Sequence, residues 1–263
     1  MRFSKWHGLG NEYLLLDGRG LDLPLDDIFV RRVCDPHTGV GSDGVLELVA
    51  LEGIRAQVII WNPDGSQAEL SGNGTRIVAR WLARELGTDT VEVAVGERLV
   101  TARVLDGLRV EQDMGKVEVG ERETLELGAG SIEFTPVDIG NPHAVVRHNP
   151  ARAEVERLGP EIERHDRFPN RTNVQLIQVD GTHELEVGVW ERGAGLTSSS
   201  GTSACAAVAA ACAHGWTASR VVVSLPGGQL EVTIEDGRAR LTGPAQEICQ
   251  GVLALELLAD LGR

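Results

Sequence analysis

The chain carries one short signal twice. Asn62 stands nine residues before Ser71-Gly72-Asn73-Gly74-Thr75, and Glu191 stands nine residues before Ser200-Gly201-Thr202-Ser203-Ala204. Ser200 follows Ser71 by 129 residues, and Gly10-Asn11 and Asp106-Gly107 recur 130 residues later as Gly140-Asn141 and Asp236-Gly237. Four landmarks in one order and at offsets of 129 or 130 residues describe a duplication of domain size, since solenoid units run to roughly 20 to 50 residues. The chain therefore reads as one architecture built twice, and a site shared by the halves would receive one Ser-Gly turn from each.

At 263 residues the length accommodates two domains of roughly 100 to 150 residues with substantial cores. The expected halves are residues 1–117 and 118–249, with 250–263, which has no counterpart in the repeat, packing back on the first. A formal charge of −14 and a pI near 4.9 argue against a nucleic-acid partner, whose binding draws on clustered Lys and Arg. Cys34, Cys205, Cys212 and Cys249 form no CxxC pair and no His/Cys cluster with metal spacing, so no metal is expected and the thiols read as reduced. Cys205 and Cys212, two turns apart on one helix, cannot bridge each other. The longest apolar run, Ala204 to Ala213, is far short of the roughly 20 residues of a membrane span, and no signal-peptide h-region precedes Asp17. A soluble protein with no membrane partner is expected.

Each half repeats one order of elements. A short apolar segment follows the Gly-Asn turn (13–16 and 144–146), then comes a strand (57–61 and 185–190), a polar loop, and a Ser-Gly turn opening a helix. Ile77, Val78, Trp81, Leu82 and Leu86 follow helical spacing and mark one buried stripe. The second helix, from Ala204 to its stop at Gly215, is apolar all round and reads as enclosed by sheet on every side. Hairpins follow at 99–112 and 229–241 around the Asp-Gly pairs, a tight-turn signal. The fold class expected is α+β: two pseudo-symmetric halves, each a barrel-like, mainly antiparallel sheet around a central helix, with a ligand site in the cleft between them.

A helix that starts at Gly72 or Gly201 presents unpaired backbone N–H groups and the positive end of its dipole, a seat for an anion such as a carboxylate. Glycine beside each serine lets a ligand approach the backbone. Ser71 and Ser200 would then flank the carbon bearing that carboxylate from opposite sides. This is the geometry for removing a proton from one face of an α-carbon and returning one to the other. Serine is also among the best N-cap residues, worth about 1 kcal/mol over Ala, so capping alone is the alternative reading of each.

Lys5-Trp-His-Gly-Leu-Gly-Asn-Glu-Tyr13, Asp35-Pro-His-Thr-Gly-Val-Gly-Ser-Asp-Gly44, Asn62 to Arg76, Gly140-Asn-Pro-His143, Arg171-Thr-Asn173, and Glu191-Arg-Gly-Ala-Gly195 followed by Ser200-Gly-Thr202 together resemble diaminopimelate epimerase. The resemblance is ordered and covers nearly the whole chain. It implies a cytoplasmic, usually dimeric isomerase without pyridoxal phosphate or any other cofactor, acting on a small amino-acid substrate by interconverting LL- and meso-diaminopimelate on the route to lysine and peptidoglycan. Carried over by position, it implies catalytic roles for Ser71, Ser200, His143 and Glu191. It implies ligand contacts from Asn11, Gly44, Asn62, Gly72, Asn73, Asn141, Asn173, Glu191, Arg192, Gly201 and Thr202. The guanidinium of Arg192 suits a carboxylate.

Four positions depart from the family pattern. The two bases are cysteines in that family and serines here, Leu196 replaces a Glu, and Ser203 replaces a Gly. A thiol ionises near about 8.5, and an alkyl hydroxyl is far less acidic. The serines are therefore either replacements that trap a ligand, native bases of a slow or different proton transfer, or caps in a protein that binds without turnover. The alternatives to epimerisation are a non-catalytic amino-acid-binding homologue and a racemase, isomerase or dehydratase of the same fold. His7 is read as structural or loop-ordering, and His37, His148, His165, His183 and His214 as surface or loop residues.

Overall fold

The computed structural model describes residues 1–20, 25–128 and 130–261. It divides into two compact units, Met1–Gln112 with Pro244–Arg263, and Asp113–Gly243. Of the C-terminal segment expected to join the first half, residues 262–263 lie outside the described residues.

The first unit opens with strands β1 (Arg2–Gly8) and β2 (Asn11–Asp17), joined at Leu9 (φ 54°) and Gly10 (φ 82°). Two consecutive left-handed residues make the primed turn that suits strand twist. Helix α1 (Asp27–Cys34) follows, its Asp26 cap accepting the Phe29 N–H at 2.8 Å. Then come β3 (Val45–Glu52), β4 (Arg55–Trp61), helix α2 (Gly72–Leu86), β5 (Thr90–Val95), β6 (Arg98–Val104) and β7 (Arg109–Lys116), whose residues from Asp113 onward belong to the second unit. The second unit holds β8 (Glu118–Val119), β9 (Glu123–Leu127), β10 (Gly130–Asp138), β11 (Pro142–Arg147), α3 (Arg152–Glu163), β12 (Asn173–Gly181), β13 (Glu184–Glu191), β14 (Gly195–Thr197), α4 (Gly201–Ala213), β15 (Arg220–Leu225), β16 (Gly228–Glu235) and β17 (Arg238–Pro244). The chain then returns to the first unit with β18 (Gln246–Val252), antiparallel to β1, and α5 (Leu255–Asp260). That pairing moves the boundary: residues 244–249, expected in the second half, belong to the first, and the central break falls at 112/113 rather than 117/118.

The duplication extends to strand pairing. In the first unit β1–β2 is antiparallel, β2–β3 parallel, β3–β4 antiparallel, β4–β5 parallel, and β5–β6–β7 antiparallel. In the second, β10–β11, β11–β12, β12–β13, β13–β15 and β15–β16–β17 repeat that series. Each parallel pair spans a helix, because a parallel connection has to cross over the sheet. The crossovers over α1 and α3 were not visible as sequence patterns. Helix α1 is only eight residues long, and α3 carries Gly159-Pro160, a helix-breaking signal, in its interior.

Helix α2 buries Ile77, Val78, Ala79, Leu82 and Ala83 against Val58, Ile60, Val91 and Val93. Trp81 is half-buried, and Leu86, expected in the stripe, is 41% exposed because the helix stops there and Gly87 turns left-handed (φ 66°). Helix α4 is buried at every position from Gly201 to Ala211, with β10, β11, β12, β13, β15 and β16 all packed on it. Alanine makes this possible, since it is the best helix former and its small side chain lets strands approach on all sides. The Asp236-Gly237 hairpin is a two-residue turn (φ 52° and 70°), whereas Asp106-Gly107 sits in a longer loop with Val104 opposite Val110.

Gly159 in α3 lies against Trp190: a Cβ there would sit 2.6 Å from the indole Cγ. Ala would gain roughly 1 kcal/mol of helix propensity in open space but has to displace a packed indole here, a change that costs about 1–3 kcal/mol. Gly159→Ala is therefore expected to lower the urea midpoint of unfolding. An unchanged or raised midpoint would show that the α3–β13 contact is loose.

Candidate active site

In the first unit the start of α2 is the focus. Ser71 (φ −136°, ψ 117°) caps the helix, its Oγ accepting the Gly74 N–H at 3.0 Å and the Tyr13 hydroxyl at 3.1 Å. The first turn, Gly72 to Arg76, is buried. A polar chain fixes it from the side. Asp43 accepts from the Asn11 side chain (3.2 Å) and the Glu12 N–H (2.8 Å), and Asn73 donates to Asn11 Oδ1 (3.2 Å). Arg76, fully buried, donates to Asn73 Oδ1, to the Gly72 carbonyl (3.1 Å) and to the Pro244 carbonyl (3.3 Å). A buried guanidinium is tolerated only with such partners.

Gly44 stands just before β3, where its carbonyl takes the Leu14 N–H at 3.0 Å. A Cβ there would lie 2.3 Å from the Trp61 carbonyl and 2.8 Å from Tyr13 Cε1, so this glycine has a packing task. Asn62 is not joined to the Asn11–Asn73 chain by its amide nitrogen, which donates to Ser66 Oγ at 2.9 Å and orders the turn after β4. His7 orders the β1–β2 turn, Nδ1 accepting the Gly10 N–H.

In the second unit Ser200 occupies the same backbone geometry (φ −142°, ψ 121°) at the head of α4 but makes no side-chain cap bond. Gly201, Thr202 and Ser203 are buried behind it. His143 on β11 is 1% exposed. Its Nδ1 faces Gln175 Nε2 and its Nε2 faces Asn141 Oδ1, each at 3.0 Å, so an amide donor on one side and an oxygen acceptor on the other place the proton on Nε2. Gln175 also donates to Ser203 Oγ at 3.0 Å, linking the histidine to the first turn of α4. Burial holds His143 down to about 3, with Gln175 pulling the other way and the Arg192 charge adding to the depression; the ring is neutral at pH 7.

Asn173 ties two segments together, donating to the Pro142 carbonyl and accepting the Arg192 N–H, both at 3.0 Å. Glu191 ends β13 opposite Gly195. Burial pushes its carboxyl up to about 7, against a Thr197 hydrogen bond that lowers it. A second carboxylate, Glu163, was not singled out by sequence. It is 2% exposed and accepts both the Trp190 indole N–H and the Gly193 N–H at 2.9 Å, gripping the turn on either side of Glu191 and Arg192. Arg171, left-handed at φ 60°, lies 3.6 Å from it. Leu196 packs beside Trp190 on the apolar cluster of Phe134, Leu158 and Ile162, which accounts for an apolar residue there. His148 and His165 are surface-bound to Glu154 and Glu126, and His214 is half-buried against Thr135 and Trp216. Among the described residues no group of three His, Cys, Asp or Glu side chains is placed to hold a metal, and no helix is long and apolar enough to cross a membrane.

The two desolvated titrating groups, buried His143 and half-buried Glu191, have opposite linkage. Below the ordinary histidine value of about 6.5 the unfolded chain takes up a proton that folded His143 refuses, so stability from this group falls as pH drops from about 6.5 to about 3. For Glu191 the stabilising contribution is fully present below the ordinary carboxyl value of about 4.5 and is lost as pH rises to about 7. Between these limits the slopes oppose. Glu191→Gln removes one slope, so the variant gains stability over the parent near neutral pH by on the order of 2 kcal/mol more than at acid pH. Chemical unfolding followed across that range checks this; parallel curves would exclude a raised Glu191.

Known proteins match the chain along nearly its whole length. The family model described as diaminopimelate epimerase matches residues 3–120 and 135–248. The chain is 37% identical over 270 residues to the diaminopimelate epimerase of Magnetococcus marinus, covering 96% of each chain. It is 39% identical to that of Geobacillus kaustophilus, covering 95% of each. Among solved structures, a hydroxyproline epimerase from Agrobacterium vitis superimposes with TM-score 0.72 at 18% identity, over 97% of this chain and 91% of that one. A phenazine biosynthesis protein from Bacillus anthracis does so with TM-score 0.70 at 13% identity, over 97% and 99%. These structural neighbours establish the fold alone.

Proposed function

We infer the activity from one premise: the chain belongs to the diaminopimelate epimerase family. The reaction is the interconversion of LL- and meso-diaminopimelate by proton transfer at the α-carbon. The observation that carries this reading is the family match along both halves, together with a polar frame built on the family's positions: Asn73, His143 and Asn173, which are buried, and Asn11 and Asn141, which are half-buried.

The N–H groups at Gly72, Asn73, Gly201 and Thr202 hold the reacting carboxylate and stabilise charge that builds up as the α-proton leaves. Ser71 and Ser200 stand at the two base positions, and the two-base route asks one of them to serve each face of the α-carbon. Neutral His143 and Glu191, whose carboxyl titrates near neutral pH, assist at the reacting centre. Arg192 reads the distal carboxylate, and Asn62 and Asn173 the ammonium end. No cofactor takes part in this scheme. The protein works as a cytoplasmic homodimer, as the family resemblance implies.

A second reading is a homologue that binds diaminopimelate without turning it over. Two features favour it: both base positions carry hydroxyls, and Ser71 is engaged as a helix cap. Proton NMR of LL-diaminopimelate with the protein in D2O separates the two. The epimerase reading expects loss of the α-proton signal with appearance of the meso form; saturable binding without exchange would establish the second reading. If hydroxyls limit the rate, Ser71→Cys with Ser200→Cys raises turnover by at least ~10²-fold, the scale of a well-matched acid–base pair. An unchanged rate in the folded double variant would remove the serines from the base positions.

A further inference from the structure

A serine hydroxyl is a poor match for moving a carbon-bound proton, and the structure places a better one directly behind Ser71. Tyr13 lies on β2, 6% exposed, with its hydroxyl 3.1 Å from Ser71 Oγ. Its ring is held: Trp6 is its neighbour across the β1–β2 pair, and the absent Cβ of Gly44 leaves the space that Tyr13 Cε1 needs. Ser71 Oγ accepts two hydrogen bonds, from Gly74 N–H and from Tyr13 O–H, which occupy both lone pairs and leave its own hydrogen to be donated elsewhere.

The duplication makes an independent case. Tyr13 and His143 are 130 residues apart, the offset of the Gly-Asn landmarks. They hold the same place in the fold, each directly before the residue (Leu14 or Ala144) that pairs in parallel with Val45 or Val174. In the second unit Gln175 ties His143 to the first turn of α4. Each unit thus brings an ionisable side chain from the same strand position to its serine-headed helix, a phenol in one and an imidazole in the other.

We propose that Tyr13 and Ser71 form a hydroxyl relay in which Tyr13 is the proton reservoir for the Ser71 face. When that face delivers a proton, the Ser71 O–H bond breaks as the C–H bond forms, and Ser71 Oγ takes the Tyr13 proton, leaving tyrosinate. In reverse, Ser71 Oγ takes the α-proton while its own passes to tyrosinate; no charge is stored on the alkyl oxygen. A phenol ionises near about 10, far closer to neutrality than an alkyl hydroxyl. The other charged or titratable groups round β2 are engaged elsewhere: Lys5 with Glu12, His7 with Gly10, Asp43 with Asn11, Glu47 with Trp61 and Arg76 with Asn73. The relay rests on the epimerase reading and supplies what the serines alone lack.

Tyr13 is the sole tyrosine, so tyrosinate absorbance in the near ultraviolet reports its ionisation alone. The alkaline limb of the kcat profile is expected to coincide with that spectroscopic titration, because above it the relay has lost its proton. Tyr13→Phe keeps the ring, lowers kcat by about 10²-fold and removes that limb; in a Ser71→Cys background the loss shrinks, since a thiol ionises without the phenol. A Tyr13→Phe protein that epimerises with the parent's kcat and pH profile overturns the relay and leaves the function standing. Absence of α-proton exchange in the parent and in the Ser71→Cys, Ser200→Cys protein overturns the function itself, and the relay with it.

Discussion

Each unit is organised by one constraint: a helix whose first turn is buried has backbone N–H groups that need partners away from water. At α2 the serine oxygen satisfies one of them, and Arg76 and Asn73 close round the rest of the turn. At α4 the serine makes no cap bond, and the surrounding strands leave Gly201 to Ala211 buried on every side. Sheets wrapped on a helix in this way turn an ordinary helix end into a fixed array of donors in a low-dielectric setting. That is the physical requirement for stabilising charge on a carboxylate-bearing carbon.

The polar residues around those helix ends act as a frame. Asp43, Asn11, Asn73 and Arg76 form one connected chain in the first unit, and Asn141, His143, Gln175 and Ser203 form another in the second. Ser203, a departure from the family pattern, is the anchor of the second chain, and Leu196, another departure, joins the apolar cluster under Trp190. Glu163 holds Trp190 and Gly193 in place and so fixes the strand end that carries Glu191 and Arg192. Substitutions that look like losses in a motif are absorbed by their surroundings.

Burial also sets the chemistry of the two titrating groups at the second unit's site. Desolvation drives both toward their neutral forms, His143 downward and Glu191 upward, because each loses water without gaining a full countercharge. The result is a neutral imidazole on β11 and, at the end of β13, a carboxyl that changes state near neutral pH.

The duplication, the Ser-Gly helix starts at Gly72 and Gly201 and the Asp236-Gly237 turn were legible in the residues, because local backbone rules and a repeated spacing encode them. The all-round apolar run of α4 likewise announced its enclosure. Helices α1 and α3, with the parallel crossovers they make, were not legible, since α1 is only eight residues long, Gly159-Pro160 interrupts the helical signal of α3, and strand partners are chosen by long-range packing. Nor were the start of the returning segment at 244 and its pairing as β18 with β1, the fit of Tyr13 into the space at Gly44, or the double hold of Glu163. Sequence by itself determined which residue types stand at the helix ends and that they come in two copies. Tertiary structure alone decided which hydroxyl meets which, and how far burial moves a proton equilibrium, because hydrogen bonds and desolvation depend on distance and on exclusion of water.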